Sequence, residues 1–308
     1  MACDPDAFTI HHADLSTGVR IAYVREGIGG VPLLLLHGYP ETKRIWWRNI
    51  APLAAAGFEV VVPDLRGCGD SSLSADGFYD LAAYARDTYE LAHDVLGFEW
   101  VTMAAGDVGG VVMLDMNSRF PGFVRRQCFF NSVAPSLGAI YEAAGLPAGQ
   151  LDDTHPTGDY RIKQGRDGDA FAAQLNTPEL RRQWIAGMYG PRLWASPGNF
   201  TQEDIDFHTE PFADGDKLRA SWGPYELAYG KQMSELPKLF EVVDVPTMVL
   251  YGADDRVVSD LFVRQCELAF SKLTGPFVIP RAGHFLQWER ADLFNGALTE
   301  YLLPRELS

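Results

Sequence analysis

The chain has 308 residues, 47% hydrophobic and 22% charged, with a formal net charge of -15 from 26 basic and 41 acidic side chains. This length accommodates one core domain carrying an inserted subdomain, and the composition is that of a globular protein rather than a disordered or fibrous one. The acidic balance opposes binding to nucleic acid or an anionic membrane surface, no run approaches the ~18 apolar residues of a membrane span, and residues 1–12 lack a signal-peptide pattern, so a cytoplasmic location is expected.

In chain order, compact apolar runs at residues 20–24, 32–36, 59–63, 100–104 and 127–130 read as strands, with an amphipathic helix at 79–96. Such alternation marks a largely parallel sheet covered by helices, an α/β architecture. After Ser132 the strand rhythm stops for roughly a hundred residues. Aromatics are frequent there, among them Tyr160, Trp184, Tyr189, Trp194, Trp222 and Tyr225. Strand-like runs return at 247–251 and 276–279, each followed by a helical segment, at 259–270 and 291–303. A helical cap over residues 133–240, inserted between core segments 1–132 and 241–308, accounts for the interruption. Cys3, Cys68, Cys128 and Cys266 are too scattered for a disulfide framework or a metal knuckle and read as reduced packing thiols.

The chemistry gathers where strands end. The run at 100–104 leads into Ala105-Gly106-Asp107-Val108-Gly109-Gly110 and then a helix, the context of a nucleophile elbow with aspartate in the place of serine. So sharp a turn demands small neighbours, and Ala105, Gly109 and Gly110 meet that demand. A helix N-terminus also favours the ionised form of Asp107. The run at 33–36 leads into His37-Gly38-Tyr39-Pro40, whose Tyr39 amide, with that of Val108, would make a two-donor oxyanion hole. Gly252-Ala253-Asp254-Asp255 and Gly283-His284-Phe285 follow later strands, giving nucleophile, acid and base in the α/β-hydrolase order.

Together HGYP, DLRGCGDSS (residues 64–72), AGDVGG, YGADD and RAGHFLQ closely resemble the epoxide hydrolase branch of the α/β-hydrolase superfamily, over nearly the whole core. The resemblance implies an eight-stranded, mostly parallel sheet with helices on both faces and a helical cap. It selects Asp255 over Asp254 as the acid and makes His284 the base. In the cap, Thr201 and Asp204 are spaced as a capping box. Ser221-Trp222-Gly223-Pro224-Tyr225 resembles the stretch carrying a ring-opening tyrosine, so Tyr225 is the expected proton donor. Tyr160 is the expected second one, although the aromatic anticipated a few residues later is missing. Tyr39 and Trp222 are expected to contact substrate.

Two departures bear on the activity. Gly106 stands where histidine often precedes the nucleophile, and Val108 stands where haloalkane dehalogenases place a halide-binding tryptophan. The arginines of fluoroacetate dehalogenase relatives are likewise missing after Asp107. A carboxylate nucleophile suits displacement at saturated carbon, through an alkyl-enzyme ester that water then hydrolyses. The expected reaction is conversion of an apolar or aromatic epoxide to a vicinal diol, with no metal or organic cofactor. Dehalogenation by the same aspartate, or a catalytically silent binding protein on this fold, are the alternatives.

Overall fold

Eight strands form one sheet in the computed structural model, which describes residues 3–147, 159–192 and 194–303. They are β1 (Ile10–Asp14), β2 (Arg20–Glu26), β3 (Val31–Leu36), β4 (Phe58–Pro63), β5 (Val101–Gly106), β6 (Val124–Phe130), β7 (Thr247–Gly252) and β8 (Leu273–Ile279), in the spatial order β1-β2-β4-β3-β5-β6-β7-β8. The β1/β2 and β2/β4 pairs are antiparallel, and every other neighbouring pair is parallel. Residues 148–158 of the expected cap tract and 304–308 of the second core segment lie outside the described residues.

The central strands are continuous apolar runs because both faces of the sheet are covered. Leu34 and Leu36 pack with Met103 and Ala105 on one side, and Leu33 and Leu35 pack with Ala104 on the other. Strand β1, which the sequence pattern misses, is an edge strand reading IHHAD in which Ala13 alone is buried. Its two apolar residues, Ile10 and Ala13, are three apart and so show no strand alternation to detect. The expected strand at 127–130 begins earlier, at Val124, because Arg125 and Arg126 are exposed and break the apolar run.

Helices α1 (Ile50–Ala55), α2 (Leu81–Tyr89) and α3 (Asp107–Arg119) belong to the first half of the chain. The tract between β6 and β7 contains α4 (Gly138–Ala143), α5 (Asp159–Arg166), α6 (Gly168–Gln174), α7 (Pro178–Tyr189), α8 (Gln202–Thr209), α9 (Gly215–Ala220) and α10 (Gly223–Glu226), and no strand among its described residues. After β7 come α11 (Leu261–Ala269), α12 (Leu286–Glu289) and α13 (Ala291–Leu302). The amphipathic stretch at 79–96 starts at Leu81 because the Asp80 carboxylate caps the Ala83 amide at 2.9 Å, and its second half, Glu90–Val95, winds as a π-helix. The Thr201/Asp204 capping box forms at the start of α8.

Behind the site-bearing end of the sheet lies a charged anchor. The Lys43 ammonium, 2% exposed, meets the fully buried Asp64 carboxylate at 2.6 Å, while Asp64 also accepts the Lys43 and Asp70 amides, each at 2.8 Å. Asp64 opens the DLRGCGDSS loop and Lys43 lies just beyond HGYP, so the pair joins the loops after β4 and β3. Removing one partner of such a pair strands the other charge without solvent. Lys43→Met is therefore expected to lower unfolding stability by roughly 3–5 kcal/mol, measured by urea denaturation; a loss within experimental error would show that Asp64 needs no cation.

Candidate active site

The carboxyl ends of β3, β5, β6, β7 and β8 converge at one edge of the sheet, where ligands collect in open α/β folds. β5 delivers Asp107, which sits at φ +45° as the first residue of α3 after an extended Gly106. A non-glycine residue there is strained and is held by its surroundings. The Asp107 amide donates to Asn131 O at 3.0 Å, and its carbonyl accepts from the Ser132 hydroxyl at 2.6 Å. The glycines of the turn are required sterically: a Cβ on Gly109 would lie 2.6 Å from His37 O, and one on Gly38 would lie 2.5 Å from the Asp107 side chain.

β3 ends in the loop that faces this turn. The Tyr39 amide donates to Asp107 Oδ1 at 2.7 Å. Val108 lies in the first turn of α3, where amides lack an intrahelical acceptor, and its side chain lines the adjoining cavity. Of the two amides expected to form an oxyanion hole, that of Tyr39 reaches the carboxyl group directly.

β8 and β7 supply the remaining ionisable groups. His284 Nε2 lies 3.2 Å from Asp107 Oδ2, and Nδ1 lies 3.0 Å from Asp255 Oδ2. The other Asp255 oxygen accepts the Val257 and Val258 amides at 2.7 and 3.0 Å. Asp254 points elsewhere, accepting the Ser196 hydroxyl at 2.7 Å. His284 is 2% exposed, its amide donates to Trp194 O at 2.7 Å, and the Trp194 ring meets its imidazole edge-on at 5.6 Å. Burial works to lower the imidazole pKa, but the Asp255 charge and the bond to Asp107 outweigh it and hold the pKa well above the usual histidine value.

The Asp107 carboxyl opens onto a cavity of about 200 Å³ whose walls include Val108, Val111, Val133, Val257, Phe262 and both expected tyrosines, Tyr160 and Tyr225. Tyr39, Tyr160 and Tyr225 form an aromatic cluster, with Tyr225 edge-on to each of the other two rings at 5.4 Å. Burial raises the pKa of Tyr160 and of Tyr225, as does the nearby Asp107 charge, so both phenols are held protonated. The Tyr225 hydroxyl is buried without a hydrogen-bond acceptor in good geometry.

Trp222, expected against substrate, lies one layer back. It is fully buried, stacks on Phe171 and is not among the residues lining the cavity. The Tyr39 side chain is also absent from that lining; its contribution at the carboxyl is the backbone amide. The reason is Gln164, whose side-chain oxygen, oriented by its donors, accepts from Tyr39 Oη at 2.5 Å, Trp222 Nε1 at 3.2 Å and Trp184 Nε1 at 3.3 Å. Gln164 stands one helical turn after Tyr160 on α5, so this hub links the helix carrying a cavity phenol to the loop after β3.

Asn131 is a second residue that sequence reading misses. It adopts φ +38°, donates from Nδ2 to Gly283 O at 2.8 Å and His284 O at 3.0 Å, and accepts the Gly252 amide at 2.9 Å. Through its side chain Asn131 thus joins the turns after β7 and β8, and through its carbonyl, which accepts the Asp107 amide, the turn after β5. An asparagine closing a buried strand and tolerant of positive φ is a signal, but a weak one without the pairing partners in view.

Comparison with known proteins agrees with this geometry. A family profile described as the alpha/beta hydrolase fold matches residues 31–291. A protein named soluble epoxide hydrolase, from Corynebacterium sp., is 43% identical over 96% of this chain and 97% of its own length. The chain belongs to the α/β-hydrolase family, in its epoxide hydrolase branch. Another relative in that branch, epoxide hydrolase A of Mycobacterium tuberculosis, is 28% identical over 95% of this chain and 97% of its own. Among solved structures, the epoxide hydrolase CorEH superposes with a TM-score of 0.81 over 96% of this chain and 98% of its own, at 22% identity, a likeness of α/β-hydrolase fold.

The shared imidazole yields a test within this α/β-hydrolase site. Because the Asp107 charge helps to raise the His284 pKa, Asp107→Asn is expected to move the imidazole titration downward. Nitrogen-15 NMR of labelled histidine would register it, and an unchanged or higher midpoint would show that the two groups do not interact.

Proposed function

We propose that this protein hydrolyses epoxides to vicinal diols through a covalent ester on Asp107, with residues 133–240 acting as a cap over the site. The observation that carries the reading is a single cavity with a carboxylate at an elbow turn on one wall and two phenols, Tyr160 and Tyr225, also in its lining. A serine nucleophile would have no use for phenols opposite it. A carboxylate attacking an epoxide generates an alkoxide that must be protonated, and the buried phenols provide the proton.

In the first step an Asp107 oxygen bonds to a ring carbon, the strained carbon–oxygen bond breaks, and the departing oxygen takes a proton from Tyr225, with Tyr160 hydrogen-bonded beside it. The raised phenol pKa values keep both protons in place until an alkoxide, a far stronger base than water, arrives. Esterification then removes the Asp107 charge. His284 loses one of the anions holding its proton, sheds that proton toward the phenolate and becomes a base. Oriented by Asp255, it deprotonates water, and the hydroxide attacks the ester carbonyl. The Tyr39 and Val108 amides hold the oxyanion until the diol departs with the remaining proton. The net change is addition of one water to one epoxide.

The substrate class follows from the cavity wall. Its carbon surface is largely valine, joined by Leu81, Pro224 and Phe262, while Trp184 and Trp222 are committed to Gln164 behind it. An apolar epoxide of modest size suits that space better than a charged one. The described cysteines are free thiols, in keeping with a reducing, cytoplasmic setting, and no described helix is long and apolar enough to cross a membrane.

Two experiments test the chemistry. With excess enzyme in ¹⁸O-water, the diol of the first turnover is expected to be unlabelled and the peptide containing Asp107 labelled; His284→Gln is expected to accumulate an adduct heavier by one intact epoxide. Label in the first diol without any adduct would mean that water attacks the epoxide directly. In single-turnover kinetics Tyr225→Phe is expected to slow ester formation roughly ten- to a hundred-fold while sparing ester hydrolysis; slowing of the second step alone would place Tyr225 in a different role. Turnover of matched haloalkanes with halide release, and none of epoxides, would favour the dehalogenase reading.

A further inference from the structure

Beside the carboxyl groups already described lies another that the reaction scheme leaves unused. Glu41, the residue after HGYP, is 4% exposed. Its Oε2 accepts the Gly38 amide at 2.6 Å, and its Oε1 accepts Gln287 Nε2 at 2.9 Å. Gly38 immediately precedes Tyr39, whose amide reaches Asp107, and its α-carbon faces the Asp107 side chain too closely to bear a Cβ. Gln287 stands on α12, one turn after His284. A single buried carboxyl group thus grips the loop carrying the oxyanion donor with one oxygen and the segment following the base with the other.

We propose that Glu41 is a positioning residue for ester hydrolysis, its carboxylate fixing the Tyr39 amide and the His284 segment in one frame. The inference rests on the epoxide-hydrolysis reading and extends it to the second half-reaction. A backbone amide bonded to a carboxylate is held more tightly than one bonded to a neutral acid. The donor at residue 39 matters most when the ester carbonyl becomes an oxyanion, because its direction must then match the developing charge.

The clamp is also sensitive to pH. Burial raises the Glu41 pKa from the usual carboxyl range to about 7, the Gly38 amide opposes that rise, and the Asp107 charge adds to it while His284 counters it. From α7, the Tyr189 phenol also feels the Glu41 charge while donating to Pro40 O at 2.7 Å. Gln287 Oε1 is buried without a donor, so rotation of the Gln287 amide would let it accept from a protonated Glu41. The pair can therefore satisfy either protonation state, and only the ionised state grips Gly38 through a charge.

Glu41→Gln separates positioning from packing, because glutamine retains the shape, an acceptor for Gly38 and a donor for Gln287. A carboxyl whose folded pKa lies above its unfolded value opposes folding as pH rises from about 4.5 to about 7, so the neutral replacement should not lower the thermal midpoint above pH 7. Ester hydrolysis should nonetheless fall about three- to tenfold above pH 8, with ester formation within about twofold of wild type. In unliganded protein labelled with ¹⁵N-tyrosine, the Tyr39 amide should titrate with a midpoint near 7, and Glu41→Gln should abolish that titration. An unchanged Tyr39 titration in the variant, or equal slowing of both half-reactions together with a lower thermal midpoint, would overturn the proposal. Should the wild type turn over no epoxide, the functional reading fails, while the amide titration still decides whether Glu41 governs Tyr39.

Discussion

His284 lies between two carboxylates, 3.0 Å from Asp255 and 3.2 Å from Asp107, and most of the local architecture serves to keep it there. Asp107 must emerge from β5 at φ +45°, a conformation that survives because Gly109 and Gly38 let the neighbouring backbones close in. Asp255 must reach inward from the turn after β7, and the Val257 and Val258 amides fix its second oxygen. The imidazole segment is anchored through its own backbone to Trp194 and Asn131. Neighbouring parallel strands make this convergence possible by delivering separate loops to one edge of the sheet.

Much of this was legible in the sequence wherever steric or topological necessity leaves few residue choices. The elbow announces itself through small residues around an acidic one, and Asp255 and His284 stand out because each follows a strand. The geometry separates Asp255 from its neighbour cleanly: Asp255 meets His284, whereas Asp254 bonds to Ser196. The strands at the centre of the sheet were legible for a related reason, since burial on both faces leaves uninterrupted apolar runs such as Leu33 to Leu36.

What the sequence concealed is long-range pairing of uncharged or ambiguous groups. Asn131 looks like a loop asparagine until Gly252, Gly283 and His284 are seen around it. Gln164 belongs to a stretch already suspected for Tyr160, yet its function as acceptor for Tyr39, Trp184 and Trp222 depends on partners up to 125 residues away. Trp222 illustrates the converse. An aromatic in a cap has two plausible surroundings, substrate or packing, and composition cannot choose between them; here Phe171 stacks on the ring and Gln164 takes its Nε1 proton in a hydrogen bond. β1 was lost because an edge strand exposed on most positions has no apolar period to display.

The electrostatic design explains why a chain can keep so many acids around one base. Asp107, Asp255 and Glu41 all act on the surroundings of His284, and a buried site cannot hold several like charges without a response. In the resting site the response is an imidazole that retains its proton and a Glu41 that gives up its own only near neutrality. In the proposed reaction, ester formation at Asp107 would cancel one charge, loosening the proton on His284 and removing a repulsion that disfavours ionised Glu41, while departure of the His284 proton would remove an attraction that favours it. The step proposed to create the need for a base would therefore also release it, and Glu41 would feel both changes of charge. Coupling of this kind requires no moving part; it follows from placing the Asp107 charge within reach of both groups in a water-poor pocket.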